Sequence, residues 1–284
     1  MELVRFFAND GVELVGALYV GNKETAIIHL HGYCGNFYEN PFVDVLGREL
    51  SKSGITFLAI NTRAHDYRSD LKIKTEEGFK SATGGGAVDN FYDSEIDISS
   101  AVSYLKNQGY QRIIVQGHST SAQKALNYAL KFKHNDIILL SAGDIYSEIT
   151  VSNKNSEAAF KEARKMISDG KGKEYMSEAL WGVNHTAEAL INGYGNNTDS
   201  DLFPIRTGKV NPKTLEFTGN VLNVLGTNDS YLQIYTTHQV AEPYFKEALK
   251  NANHKFILLD DTHAFTENPT KLASEIVDWC KTLK

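Results

Sequence analysis

The stretch RIIVQGHSTSAQKALNYAL, residues 112–130, decides how the chain is read. Ile113, Ile114 and Val115 form a short β-branched run of the kind found in buried strands. Gly117-His118-Ser119-Thr120-Ser121 follows with no room for a loop. Ala122, Ala125, Leu126, Ala129 and Leu130 then recur at helical spacing. Strand, abrupt turn and helix are the context that makes a G-x-S-x-G-like pentapeptide a nucleophile elbow. Such a turn lifts the Ser119 hydroxyl off the end of a sheet. It also sets the Thr120 N–H at a helix N-terminus, where negative charge is favoured. Ser121 stands where the pattern prefers a second glycine, a position that needs a small residue because helix and strand pack closely there. The plain alternative is that Ser119 only caps the helix.

Working outward, strand-like runs alternate with helical ones. Residues 2–8 and 12–20 read as a hairpin joined by Asn9-Asp10-Gly11. Buried strands are expected at Thr25–Leu30, Ile55–Ile60, Asp136–Leu140, Val221–Leu225 and Lys255–Leu259. Helices are expected at about 40–52, 93–106, 240–249 and at the C-terminal end, where Leu272, Ile276, Trp279 and Leu283 share a face. The alternation implies an α/β fold with a mostly parallel central sheet and helices on both faces. The polar segment up to about Asp89, with Gly84-Gly85-Gly86, reads as a long, flexible surface loop near the site. Between residues 146 and 219 the strand rhythm stops, and 156–168, 175–180 and 186–191 look helical. The expected organisation is a core of residues 1–145 and 220–284, interrupted by a helical lid insertion at 146–219.

Sites in open α/β sheets gather beyond the carboxyl ends of strands. Ser119, Asp229, His263 and the stretch His31–Asn36 each follow a strand. A serine hydroxyl becomes a competent nucleophile when an imidazole removes its proton. The imidazole needs a carboxylate to hold its tautomer. His263 is the best placed base, because His254 precedes its strand, His238 lies in a loop or at a helix start and His118 adjoins the serine. Asp229 is the expected acid and Asp144, also after a strand, its rival. Tyr33, just after His31-Gly32, is the expected second backbone donor to an oxyanion beside Thr120. His29 and His31 alternate on one strand, but no third ligand accompanies them, so no metal is expected.

The whole chain, lid excepted, resembles the α/β-hydrolase superfamily. His31-Gly32-Tyr33-Cys34-Gly35-Asn36 is similar to the H-G-F-x-G-N opening of cinnamoyl-type esterases. Asn61-Thr62-Arg63-Ala64-His65-Asp66 resembles their N-x-R-G-H-G/D loop. Gly117-His118-Ser119-Thr120 with Gln123 is similar to the G-H-S-T-G-x-Q elbow of siderophore-esterase-like hydrolases. The resemblance implies the α/β-hydrolase fold, with Ser119 as nucleophile, Asp229 as acid, His263 as base and no cofactor. It implies hydrolysis of a carboxylic ester of small or medium size through an acyl-enzyme. An amidase, peptidase or thioesterase would use the same triad, and a catalytically silent binding protein the same fold.

Composition narrows the partners. The 284 residues carry a net charge of −6, without a basic block. Nucleic acid and anionic membranes are therefore not expected partners, and a homodimer is left open. Cys34 and Cys280 form no disulfide or zinc pattern. No run has signal-peptide or membrane-span length, so a cytoplasmic protein is expected.

Overall fold

The computed structural model describes residues 1–283. In chain order the elements are β1 (Glu2–Phe7), β2 (Glu13–Tyr19), β3 (Thr25–Leu30), α1 (Pro41–Lys52), β4 (Thr56–Asn61), β5 (Ser69–Thr75), β6 (Gly78–Gly84) and α2 (Ser94–Asn107). Then follow β7 (Arg112–His118), α3 (Thr120–Phe132), β8 (Asp136–Leu140), α4 (Ile145–Ser152), α5 (Ser156–Ser168) and α6 (Ala187–Tyr194). β9 (Asn220–Asn228), α7 (Ser230–Gln233), α8 (His238–Ala248), β10 (Asn253–Thr262) and α9 (Pro269–Thr282) complete the order.

One sheet carries eight strands in the order β1-β2-β4-β3-β7-β8-β9-β10. Every pairing from β4 to β10 is parallel, and β2 runs antiparallel to both of its neighbours. The expected mostly parallel sheet is thus present, with the opening hairpin as its antiparallel edge. Period-two alternation sends successive residues to opposite faces. Ile28, Val115 and Leu139 pack with Ile98, Leu126 and Phe245 from α2, α3 and α8. Ile27, Ile114 and Ile138 pack with Phe42, Leu46, Leu272 and Trp279 from α1 and α9. Both faces are covered, which explains why these strands read as unbroken apolar runs.

The polar segment before residue 89 departs from the expected loop. It forms the antiparallel pair β5–β6 across a turn at Glu76-Glu77. Leu71 joins Ala8, Val12 and Leu14 in a small core, with Ile73 packed against it. The glycines that end the hairpin are buried and tightly packed, contrary to the flexible reading. A Cβ at Gly84 would stand 2.7 Å from the Arg63 carbonyl oxygen, and Gly85 has φ +99° with the Tyr67 oxygen 2.6 Å from its would-be Cβ. These positions need glycine for close approach and a positive φ, not for slackness.

Between β8 and β9 the described residues contribute no strand to the large sheet. α4, α5 and α6 share a separate core of Ile149, Phe160, Ala163, Leu180, Leu190 and Tyr194. Residues 175–180 are not helical. Tyr175 and Leu180 form isolated bridges to Thr186 and Val183 instead. Among the described residues, no helix is long and apolar enough to cross a membrane.

Candidate active site

β7 ends at His118 and α3 begins at Thr120, so Ser119 alone makes the turn. Its φ of 54° and ψ of −123° are strained for a side chain with a Cβ, at a cost of about 1–3 kcal/mol. The surroundings hold it there. The Ser119 N–H donates to the Leu140 carbonyl at 2.8 Å. Gly117 permits the turn: a Cβ there would lie 2.0 Å from the Ser121 carbonyl oxygen. Gly117→Ala should therefore destabilise the fold by about 3 kcal/mol or more. Urea denaturation with an unchanged midpoint would contradict this packing account.

Ser121 does more than fit the space left for glycine. Its hydroxyl donates at 2.5 Å to the His31 carbonyl, tying the first turn of α3 to the end of β3. The His31 ring is buried and pinned in one tautomer. Nδ1–H donates to the Gly32 carbonyl at 2.9 Å, leaving Nε2 to accept from the Thr62 hydroxyl at 2.9 Å. Burial pushes this imidazole down to about 4, so it stays neutral. The two loops clasp again where Asn36 Nδ2 donates to Asp66 Oδ1 at 2.7 Å. Arg63 anchors the second loop through bidentate contact with buried Asp97 and a bond to Asp10. His29 does not share a ligand set with His31. Its Nδ1 contacts Gln116 Nε2 at 2.8 Å inside the sheet.

His263 follows β10 directly. Its Nδ1 lies 2.9 Å from both carboxylate oxygens of Asp229. Asp229 caps α7 and accepts the N–H groups of Tyr231 and Leu232 at 3.0 Å each. Burial alone would raise this carboxyl. The His263 hydrogen bond and charge, helped by the Leu232 N–H, outweigh it and hold Asp229 below the usual carboxylate range. Asp144 sits in a different setting. It caps α4 through the Ser147 N–H and is taken up by Arg206, whose Nη1 lies 2.5 Å away. Burial nevertheless lifts the Asp144 carboxyl above its ordinary value.

The His263 backbone is also held. Its carbonyl accepts from His118 Nε2–H and from the Ser141 hydroxyl, both at 2.9 Å. Burial lowers His118 to about 3, which keeps it a neutral donor. Beyond His263, fully buried Asp261 accepts the N–H groups of Glu267 and Asn268 and shapes the turn. The sequence offered no signal for these supports, because each joins residues far apart in the chain or reads as an ordinary turn acid.

Ser119, Thr120, Tyr33 and His263 line one cavity of about 690 Å³ at the carboxyl end of the sheet. Asp229 stands behind His263, outside the lining. The N–H groups of Tyr33 and Thr120 have no acceptor among the described residues. A Cβ on Gly32 would lie 3.1 Å from that of Ser119, so the loop before Tyr33 passes close to the hydroxyl. The Tyr33 ring points toward the helical segment, with its hydroxyl 3.0 Å from His185 Nε2 and its centroid 5.2 Å from that of Trp181. Trp181, Tyr231 and Glu148 complete the walls that matter below. The Tyr231 ring packs against the His263 ring, with centroids 4.5 Å apart and the planes tilted by 46°. Of these, Glu148 and Tyr231 were not singled out by residue type or spacing.

A parallel sheet with a strained serine after β7, and a histidine–carboxylate pair at the ends of β9 and β10, defines an α/β-hydrolase-type protein. The chain belongs to the family described as "Protein of unknown function (DUF1749)", whose model matches residues 71–265. Solved structures share the architecture from end to end. The Pyrococcus furiosus esterase Pf2001 is 18% identical over 99% of this chain and 90% of that chain, with a TM-score of 0.63. Est1E from Butyrivibrio proteoclasticus, with ferulic acid bound, is 15% identical over 98% of each chain, with a TM-score of 0.64. The siderophore hydrolase EstB from Aspergillus fumigatus is 13% identical over 99% of this chain and 97% of that chain, with a TM-score of 0.71. At these identities the likeness is one of fold. No curated protein matches the chain in sequence.

Proposed function

We propose that the protein is a serine hydrolase that cleaves a carboxylic ester of small or medium size through an acyl-enzyme. In this reading the Ser119 hydroxyl attacks the ester carbonyl while His263 Nε2 takes its proton. Asp229 keeps the proton on Nδ1 and stabilises the imidazolium that forms. The negative oxygen of the tetrahedral intermediate would lie against the N–H groups of Tyr33 and Thr120, each contributing about 3 kcal/mol. His263 then protonates the leaving alcohol. It next draws a proton from water, which attacks the acyl carbonyl and frees the acid and Ser119.

The observation that carries this reading is the bidentate Asp229–His263 contact opening onto the cavity that holds Ser119 at its strained turn. The fold neighbours named above are described as esterases and a siderophore hydrolase, which agrees with it. Residues 146–219 serve as the lid, since Glu148 and Trp181 from that segment reach the cavity wall. The unpaired thiols of Cys34 and Cys280 suit the reducing cytoplasm. A fluorophosphonate probe should modify the protein at Ser119, with p-nitrophenyl butyrate hydrolysed by the unmodified enzyme. A protein that neither reacts nor hydrolyses would be a binder on the same fold.

A further inference from the structure

Three acidic side chains, Asp144, Glu148 and Asp229, lie near enough for their charges to act on one another, and two of them have a basic partner. Asp229 has His263 and Asp144 has Arg206. Glu148, on α4, has none. It is only 4% exposed, lines the cavity with Ser119 and His263, and its carboxyl has no hydrogen-bond or ion-pair partner among the described residues. A buried carboxyl without a partner is costly, and natural proteins rarely keep one idle. We infer that Glu148 selects substrates carrying a cationic nitrogen, an ammonium group that enters the cavity on the acyl or alcohol side of the ester and supplies the missing positive charge. This rests on the ester-hydrolase reading and names the substrate class for it.

The walls fit such a guest. Tyr33, Trp181 and Tyr231 face the same space, and aromatic faces attract cations by about 0.5–2 kcal/mol when water is excluded. Among the described residues, no lysine or arginine lines the cavity to compete for the carboxylate. The groups around Glu148 come from several elements. Asp144 precedes it on α4, Asp229 and His263 end β9 and β10, and the Tyr235 hydroxyl follows α7. A Cβ on Gly143 would stand 2.7 Å from both Glu148 Oε1 and the Tyr235 hydroxyl, so the two oxygens flank one gap. Burial, followed by the charges of Asp229 and Asp144, pushes Glu148 up to about 8. At neutral pH the empty site therefore holds the protonated acid. Binding an ammonium group displaces that proton to solvent and leaves a carboxylate–ammonium pair. Above the Glu148 value the proton is already gone, so preference for the cation strengthens with rising pH.

The test compares matched esters. One pair is acetylcholine and its neutral isostere with a quaternary carbon in place of nitrogen. The other is the p-nitrophenyl ester of an ω-trimethylammonio acid and its carbon isostere. The readout is the ratio of kcat/KM, cation over neutral, in each pair. The wild-type protein should favour the cation by about tenfold or more in at least one pair. That ratio should rise between about pH 7 and about pH 9, across the Glu148 value. Glu148→Gln keeps the shape of the neutral acid and should lower the ratio to the part owed to the aromatic walls and remove its rise with pH. Glu148→Leu serves the same purpose should the amide fold poorly. The groups around the ester are identical within a pair, so the pH dependence of the shared chemical step cancels in the ratio. Turnover of the neutral esters without preference for the cation would overturn the inference alone. So would a ratio, and a rise with pH, left unchanged by both substitutions. Turnover of p-nitrophenyl butyrate but of none of the four esters would also overturn the inference alone, whereas turnover of none of the five would overturn the ester-hydrolase reading itself, and this one with it.

Discussion

Ser119→Ala should lower ester turnover by about 10⁵–10⁶-fold while leaving the fold in place. The size follows from the role proposed for the hydroxyl. Without it no acyl-enzyme forms, and water must attack a bound ester directly. The residual rate would come from binding and from the Tyr33 and Thr120 N–H groups, which are backbone and survive the change. The fold should survive because its local contacts run through backbone: the Ser119 N–H still reaches the Leu140 carbonyl, and the Ser119 carbonyl still accepts from the Ala122 N–H at 2.9 Å. Turnover of p-nitrophenyl butyrate, a single fluorophosphonate labelling experiment and a thermal melt check all three parts together. Activity retained within a few-fold, with the melt unchanged, would place the chemistry elsewhere in the cavity.

The architecture was legible because a parallel sheet writes itself as buried runs. Ile27-Ile28 and Ile113–Val115 are apolar on both faces, as is Val221–Leu225 apart from Asn223, and each face meets helices whose own stripes were visible. The position of His263 was legible for the same reason: it follows the last such run. What escaped was set by distance in the chain. Nothing near His118 announces that its ring holds the His263 carbonyl, 145 residues away. Glu148 looks like an ordinary helix acid until the fold brings α4 over the end of the sheet. The β5–β6 hairpin was hidden by composition. In β5 the residues alternate as in a strand, but Asp70, Lys72 and Lys74 fill the outward positions, and Leu71 and Ile73, with Ala82 from β6, mark the inner face. Residues 175–180 carry apolar positions at helical spacing, yet they are drawn into short bridges by Thr186 and Val183, an outcome decided by tertiary contacts.

The second large effect separates Asp229, the acid expected from the sequence, from its rival Asp144. Asp229→Asn should reduce kcat by about 10⁴-fold, because an amide facing Nδ1 can donate as well as accept and no longer fixes the proton there. The productive tautomer, with Nε2 free to take the serine proton, would lose its support. The substitution also removes a charge held below the usual carboxylate range by His263, the Leu232 N–H and their fields. Asp144→Asn should behave otherwise. Its carboxylate faces Arg206 and the Ser147 N–H, not the imidazole, so its loss should appear mainly as lower stability. Removing one partner of this buried pair leaves Arg206 with Asp201 alone and should cost about 3–5 kcal/mol. Activity per folded molecule should fall far less than for Asp229→Asn. Parallel measurement of kcat and urea midpoints for both variants resolves the matter. A 10⁴-fold loss in Asp144→Asn with normal stability, beside an active Asp229→Asn, would transfer the carboxylate's role to Asp144 and require His263 to swing away from the position it occupies against Asp229.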